Sequence, residues 1–131
     1  MGAFDLLNMA SSGLGMHQTW LDALGYNIAN ANTIRSTDED AFQAHMVIAE
    51  AKPNGEGVDV AGIAVSDPEG TLVHDPDHPL ADENGYVRAP AMDMSKQMTE
   101  LVMAQRGFQA SSQVTKYAQD TYNAAIAIGN R

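Results

Sequence analysis

The sequence predicts an α+β chain in which long N- and C-terminal helices pair as a coiled-coil-like bundle, with a small antiparallel β unit inserted between them. An apolar seam in steps of three and four runs through residues 7–31. A proline-free stretch with helical periodicity follows Pro90. Between the two lie short alternating runs broken by Gly, Pro and Asn. The chain therefore divides into an N-terminal helix (1–35), an acidic β-rich insertion (36–90) and a C-terminal helix (91–131).

The first helix is expected over about residues 4–32, roughly 40 Å at about 1.5 Å per residue. Its seam is Leu7, Ala10, Leu14, His17, Leu21, Leu24, Ile28 and Ala31. Only His17 breaks the apolar character, and it reads as a tolerated or interfacial histidine. Gly13, Gly15 and Gly25 each cost the helix about 1 kcal/mol relative to Ala. Its order must therefore come from whatever packs on the seam, and the same glycines let another backbone come close.

Pro90 ends a strand-like stretch, and Asp93 is placed to cap the helix that follows. Met94, Met98, Leu101, Gln105 and Phe108 recur at helical spacing. Ala110, Val114, Tyr117, Thr121, Ala124 and Ile128 continue as a second stripe, out of phase with the first. One partner helix cannot cover two stripes. Self-association or assembly with other chains is therefore expected. The candidate contact residues read from these seams are Leu7, Ala10, Leu14, Leu21, Leu24, Ile28, Leu101, Phe108, Val114, Tyr117 and Ile128.

In the middle, Phe42, Ala44, Met46 and Ile48 alternate with Gln43 and His45, the pattern of a half-buried strand. Pro53 to Gly57 is a turn cluster, and Val58, Val60, Ile63 and Val65 mark a second strand. Thr71–His74 and Tyr86–Arg88 are two more, with Asn84-Gly85 as a hairpin-type turn into the last. Two to four such strands bury little by themselves.

With 131 residues and 14.0 kDa the chain has room for one domain at most. Seventeen acidic against seven basic residues give a net charge of −10. That balance argues against nucleic acid and anionic membrane surfaces, which demand clustered Lys and Arg. The excess has an address: residues 36–90 hold twelve acids against Lys52 and Arg88, while both ends are nearly neutral. The absence of cysteine removes disulfides, thiol nucleophiles and cysteine metal sites. No apolar run approaches the roughly 20 residues of a membrane span, so no membrane insertion is expected. The first residues lack the basic and apolar regions of a secretory signal, so a route without a cleaved leader is expected for any passage out of the cytoplasm.

The most site-like cluster is His74 to Glu83, with two histidines and four carboxylates. Pro76 and Pro79 forbid a helix that would bring His74 and His78 onto one face, and the run does not fit an EF-hand register. A hydrogen-bonded, solvated loop is the expectation, and a metal-dependent hydrolase the weaker reading. Gly13-Leu14-Gly15 lacks the third glycine and the preceding strand of a dinucleotide turn. No nucleophile elbow is present. Neither catalysis, a cofactor nor a metal is therefore expected, and a helical adaptor or chaperone gripping a partner helix is the alternative to a self-assembling subunit.

Asn27-Ile28-Ala29-Asn30-Ala31-Asn32-Thr33, approached by Ser11-Ser12-Gly13-Leu14, resembles the asparagine-rich signature of the flagellar rod and hook protein family. Gly57 to Ile63 and Asp75 to Val87 resemble central motifs of the basal-body rod members of that family. Ala104-Gln105-Arg106-Gly107-Phe108-Gln109-Ala110 is similar to the family's C-terminal helix motif. The likeness covers essentially the whole chain, in order. Departures stand at Gly107, Phe108 and Ser111, and at Gly25 and Tyr26 before the asparagine signature.

The resemblance implies a non-enzymatic subunit of the bacterial flagellar basal body, in the proximal rod, the drive shaft of motility. It implies export through the flagellar type III apparatus and assembly with other rod proteins and copies of itself. The terminal helices would form an inner tube with the β part outside. Asn27, Asn30 and Asn32 would satisfy polar groups at the helix end or between subunits, and Arg106 and Gln109 would join the contact residues.

Overall fold

The seam near the N-terminus does build a helix. The structure, a computed structural model, describes residues 2–131. The first helix, α1, spans Ala3–Ala29. It stops short of the expected end because the asparagine signature closes it. The Asn30 side-chain amide donates to the Tyr26 carbonyl at 2.9 Å, and the Thr33 hydroxyl donates to Asn30 Oδ1 at 3.2 Å. These short side chains satisfy carbonyls and turns that further helix would otherwise have to serve.

The last helix, α2, spans Met94–Gly129. Asp93 caps it as its type and place predict, with Oδ1 accepting from the Ser95 N–H at 2.9 Å. Four strands lie between the helices: β1 His45–Ala51, β2 Val58–Val65, β3 Thr71–His74 and β4 Tyr86–Ala89. They pair as two two-stranded sheets, β1 with β2 and β3 with β4. The architecture is therefore α+β, with two small sheets between two long helices in chain order. In the second sheet Thr71 faces Ala89 and His74 faces Tyr86, antiparallel.

Two details of the β region differ from the sequence reading. Phe42 and Ala44 are buried, but Met46 and Ile48 are 48% and 49% exposed. The alternation changes phase at His45, whose N–H and C=O both bond to Asn27 and whose ring stacks on Tyr26. The second difference lies before β4: the sequence reads as a loop over 75–79 and then a hairpin-type turn at Asn84-Gly85, whereas one loop runs over residues 75–85 and Asn84-Gly85 is its end. Gly85 has φ +81° there, and a Cβ on it would lie 2.9 Å from Pro76 Cβ.

By their internal contacts the residues form two units, and both helices and the first hairpin contribute to each. The first is Met1–Leu21, Val47–Gly62 and Val102–Arg131; the second is Asp22–Met46 and Ile63–Leu101. In the first unit the helices run antiparallel, since Gly13 meets Ser111 and His17, four residues on, meets Gly107, four residues back. Its buried side chains are small: Ala10, Ala104 and Ala118. The Ser12 hydroxyl anchors the hairpin to α1, donating to the Met9 carbonyl at 2.7 Å and accepting from the Val58 N–H at 3.1 Å.

The second unit has the larger core: Ala23, Leu24, Ala41, Phe42, Ala44 and Val87. Leu24 is 2% exposed, and burying a leucine fully contributes about 1.5–3 kcal/mol. Gly70 sits beside this core at φ +61°, where a Cβ would overlap the Ala89 carbonyl oxygen and Ala41 Cβ. No larger residue fits that turn without moving β4. Among the described residues, no helix is long and apolar enough to cross a membrane.

Candidate functional site

The helix pairing is the feature from which function has to be read. On α2, Gln97, Leu101, Ala104, Phe108, Ser111, Thr115 and Ala118 are withdrawn from solvent, spaced alternately by four and three, with Glu100 and Gly107 flanking them. That is a heptad seam in which one set of positions, Gln97, Ala104, Ser111 and Ala118, is small or polar, and small residues let backbones approach closely. In the first unit it carries a polar centre. His17 Nδ1 lies 2.7 Å from the Gly13 carbonyl oxygen, so that nitrogen carries the hydrogen and donates it. Ser111 Oγ is 3.3 Å from the same nitrogen. The Trp20 ring lies one turn further along α1, its centroid 6.3 Å from that of His17.

The second unit has a polar centre of its own. Asn27, fully buried, donates through Nδ2 to the His45 carbonyl at 2.8 Å and to Gln97 Oε1 at 3.0 Å. Its Oδ1 accepts from the His45 N–H at 2.7 Å. One side chain thus ties α1, β1 and α2 together and satisfies every partner it reaches. Tyr26 stacks on the His45 ring at 4.5 Å and packs against Phe42 at 5.1 Å. Below β4, the Arg88 guanidinium donates to the Thr37 carbonyl at 2.8 Å and to the Glu69 carbonyl, pinning two loops to the strand.

Asp82 organises the turn into β4. Its Oδ1 accepts from the Tyr86 and Asn84 N–H groups, each at 2.9 Å, and its Oδ2 from the Thr37 hydroxyl at 3.2 Å. The Tyr86 N–H is the main cause that holds this carboxyl below its ordinary value of 3.8; burial opposes it, and the Asn84, Thr37 and Gly85 hydrogen bonds reinforce it. A carboxylate depressed on folding stabilises fully above its unfolded pKa, and that contribution is lost as pH falls through the lower folded value. The melting temperature of Asp82→Asn should therefore lie below the parent's near neutral pH, and the gap should close below about pH 4. A gap unchanged between pH 7 and pH 3 would contradict this role.

The predicted contact residues fall into three groups. Leu24, Asn27 and Ala10 are buried within the chain, so their side chains are spent on its own core. Leu7, Leu14, Leu21, Ile28, Asn30, Leu101 and Phe108 are half-buried. Arg106, Gln109, Val114, Tyr117 and Ile128 are exposed, Tyr117 at 60% and Ile128 at 75%. Every position of the second α2 stripe is exposed, as is every residue from 119 to 129. The first stripe lies partly off the buried phase: Leu101 and Phe108 face inward, whereas Met94, Met98 and Gln105 face solvent. Hydropathy missed Gln97, Ala104, Ser111 and Ala118. Their signal is the exact seven-residue recurrence of small or amide side chains, which an apolar count does not register.

The histidines of the acidic loop are engaged locally. The His74 ring stands edge-on to Tyr86 at 5.0 Å, and His78 Nδ1 accepts from the Leu80 N–H at 3.1 Å. Among the described residues, no three His, Cys, Asp or Glu side chains converge as a metal site would require.

Known proteins resemble this chain from end to end. A family model described as "Flagellar basal body rod FlgEFG protein C-terminal" matches residues 83–128. The flagellar basal-body rod protein FlgC of Yersinia enterocolitica is 30% identical, with 98% of this chain aligned to 99% of that one. That of Borreliella burgdorferi is 29% identical over 98% of both chains. That of Bacillus subtilis is 28% identical over 98% of this chain and 99% of its own.

Proposed function

Since the chain belongs to the flagellar basal-body rod protein FlgC family, we propose that it is a structural subunit of the bacterial flagellar basal body that builds the proximal rod. Its role is structural, as part of the drive shaft for motility. The observation that carries this reading is the uncovered second stripe of α2. Every position of that stripe, and every residue from 119 to 129, is exposed in the single chain, and an apolar surface of this kind finds its cover in other chains. Other rod proteins and further copies of this chain are the partners that such a stripe fits.

In this reading the terminal segments, 1–35 and 91–131, line the inner tube, and the acidic segment 36–90 lies outside. The charge distribution supports that order. Near-neutral helices can be buried against neighbours, whereas a concentrated negative face repels unwanted contacts. The flagellar export apparatus is the route by which the subunit reaches the rod.

Deleting the gene should abolish swimming and leave basal bodies without a complete rod, and a plasmid copy should restore both. The chain should co-purify with basal bodies at fixed stoichiometry. Normal motility in the deletion strain would overturn the reading. So would recovery of the chain only as a soluble complex absent from basal bodies, the behaviour of an adaptor or chaperone.

A further inference from the structure

In the first unit the helices meet through an exchange of large and small residues. His17 on α1 lies over Gly107 on α2, and Ser111 on α2 lies over Gly13 on α1. The imidazole is not free to move aside, because its Nδ1–H is committed to the Gly13 carbonyl at 2.7 Å. With that nitrogen held, the opposite edge of the ring rests on the Gly107 backbone. A Cβ at residue 107 would overlap Nε2 and Cδ2 and lie 3.1 Å from Cε1. Turning the ring away would give up the bond to Gly13.

The exchange works at one alignment only. Within α2, glycine occurs at 107 and 129 alone. Sliding α2 by one turn sets Met103 or Ser111 against His17; sliding it by a heptad sets Glu100 or Val114 there. Each of these carries the Cβ that the ring excludes. The other α2 seam residues in this unit, Ala104, Phe108, Thr115 and Ala118, all carry a Cβ and so offer the ring no second opening.

We propose that His17 and Gly107 are a steric key that sets the register of α1 on α2. Small seam residues supply close approach, and the key supplies the choice of alignment by penalising the others. The proposal rests on the geometry of the first unit and is independent of the rod assignment.

The chain lacks cysteine, so an introduced pair reports register without interference. A Cβ at Gly13 would lie 3.9 Å from Ser111 Cβ, inside the roughly 3.5–4.5 Å that disulfides span. Gly13→Cys with Ser111→Cys should therefore cross-link within one chain on mild oxidation in dilute solution. Adding Gly107→Ala should lower the cross-linking rate by roughly tenfold, and adding His17→Ala to that variant should restore it.

Without the cysteines, Gly107→Ala should lower the melting temperature by about 4 °C or more. In a His17→Ala background the same change should raise it, because alanine favours helix over glycine. This change of sign is the signature of the key. If Gly107→Ala moves the melting temperature in the same direction in both backgrounds, or if His17→Ala fails to rescue cross-linking, the proposal is overturned.

Discussion

Asn27→Ala should cost about 3–6 kcal/mol, enough to melt the second unit of a protein whose whole stability is on the order of 5–15 kcal/mol. The substitution strands three groups around a fully buried side chain: the His45 N–H, the His45 carbonyl and the Gln97 side chain. Each buried polar group left unpaired costs about 1–3 kcal/mol. Asn30→Ala is the control. Its hydrogen bonds to Tyr26 and Thr33 are at the half-open end of α1, and its loss should cost about 1 kcal/mol or less. Urea unfolding followed by far-ultraviolet circular dichroism measures both. Near-equal losses for the two asparagines would show that the buried network is not what holds this unit.

The second large effect separates folding from assembly. Val114 and Tyr117 are 42% and 60% exposed, so Val114→Asp with Tyr117→Asp should change the stability of the isolated chain by only about 1 kcal/mol or less. If the stripe is covered by a neighbouring subunit, the same two carboxylates would be buried unpaired at a cost of several kcal/mol. A strain carrying the double variant should then fail to swim and lack the subunit in its basal bodies, while the purified chain melts as the parent does. Wild-type swimming would remove this stripe from the contact surface.

Much of this arrangement was legible in the sequence, for identifiable reasons. Leu7, Ala10, Leu14, Leu21, Leu24 and Ile28 recur at the helical period, and all six are buried or half-buried. Asp93 caps α2 because a short carboxylate before a periodic run has one favourable use there. The inner seam of α2 was not legible, because Gln97, Ala104, Ser111 and Ala118 carry almost no hydrophobic signal. What buries them is proximity to another helix, which local pattern does not encode.

The strand phase at His45 failed for a related reason. There the strand is held by Asn27, eighteen residues away in sequence, through hydrogen bonds that hydropathy does not see. Three of the residues that depart from the family motifs lie in such contacts. Gly107 and Ser111 both meet His17, and Tyr26 stacks on His45. Read singly they look like irregularities; read in pairs, each accommodates a specific ring.

The uncovered stretch of α2, residues 119–129, also bears on symmetry. A contact that seats such a stretch on a different surface of a second copy of the chain is heterologous. Each subunit added through it presents afresh the feature it has just used. Contacts of that kind close into a ring when the rotation between subunits divides a full turn, and otherwise advance along a screw axis. Nothing in the contact counts the copies, so the length of such a filament has to be set by something outside the interface.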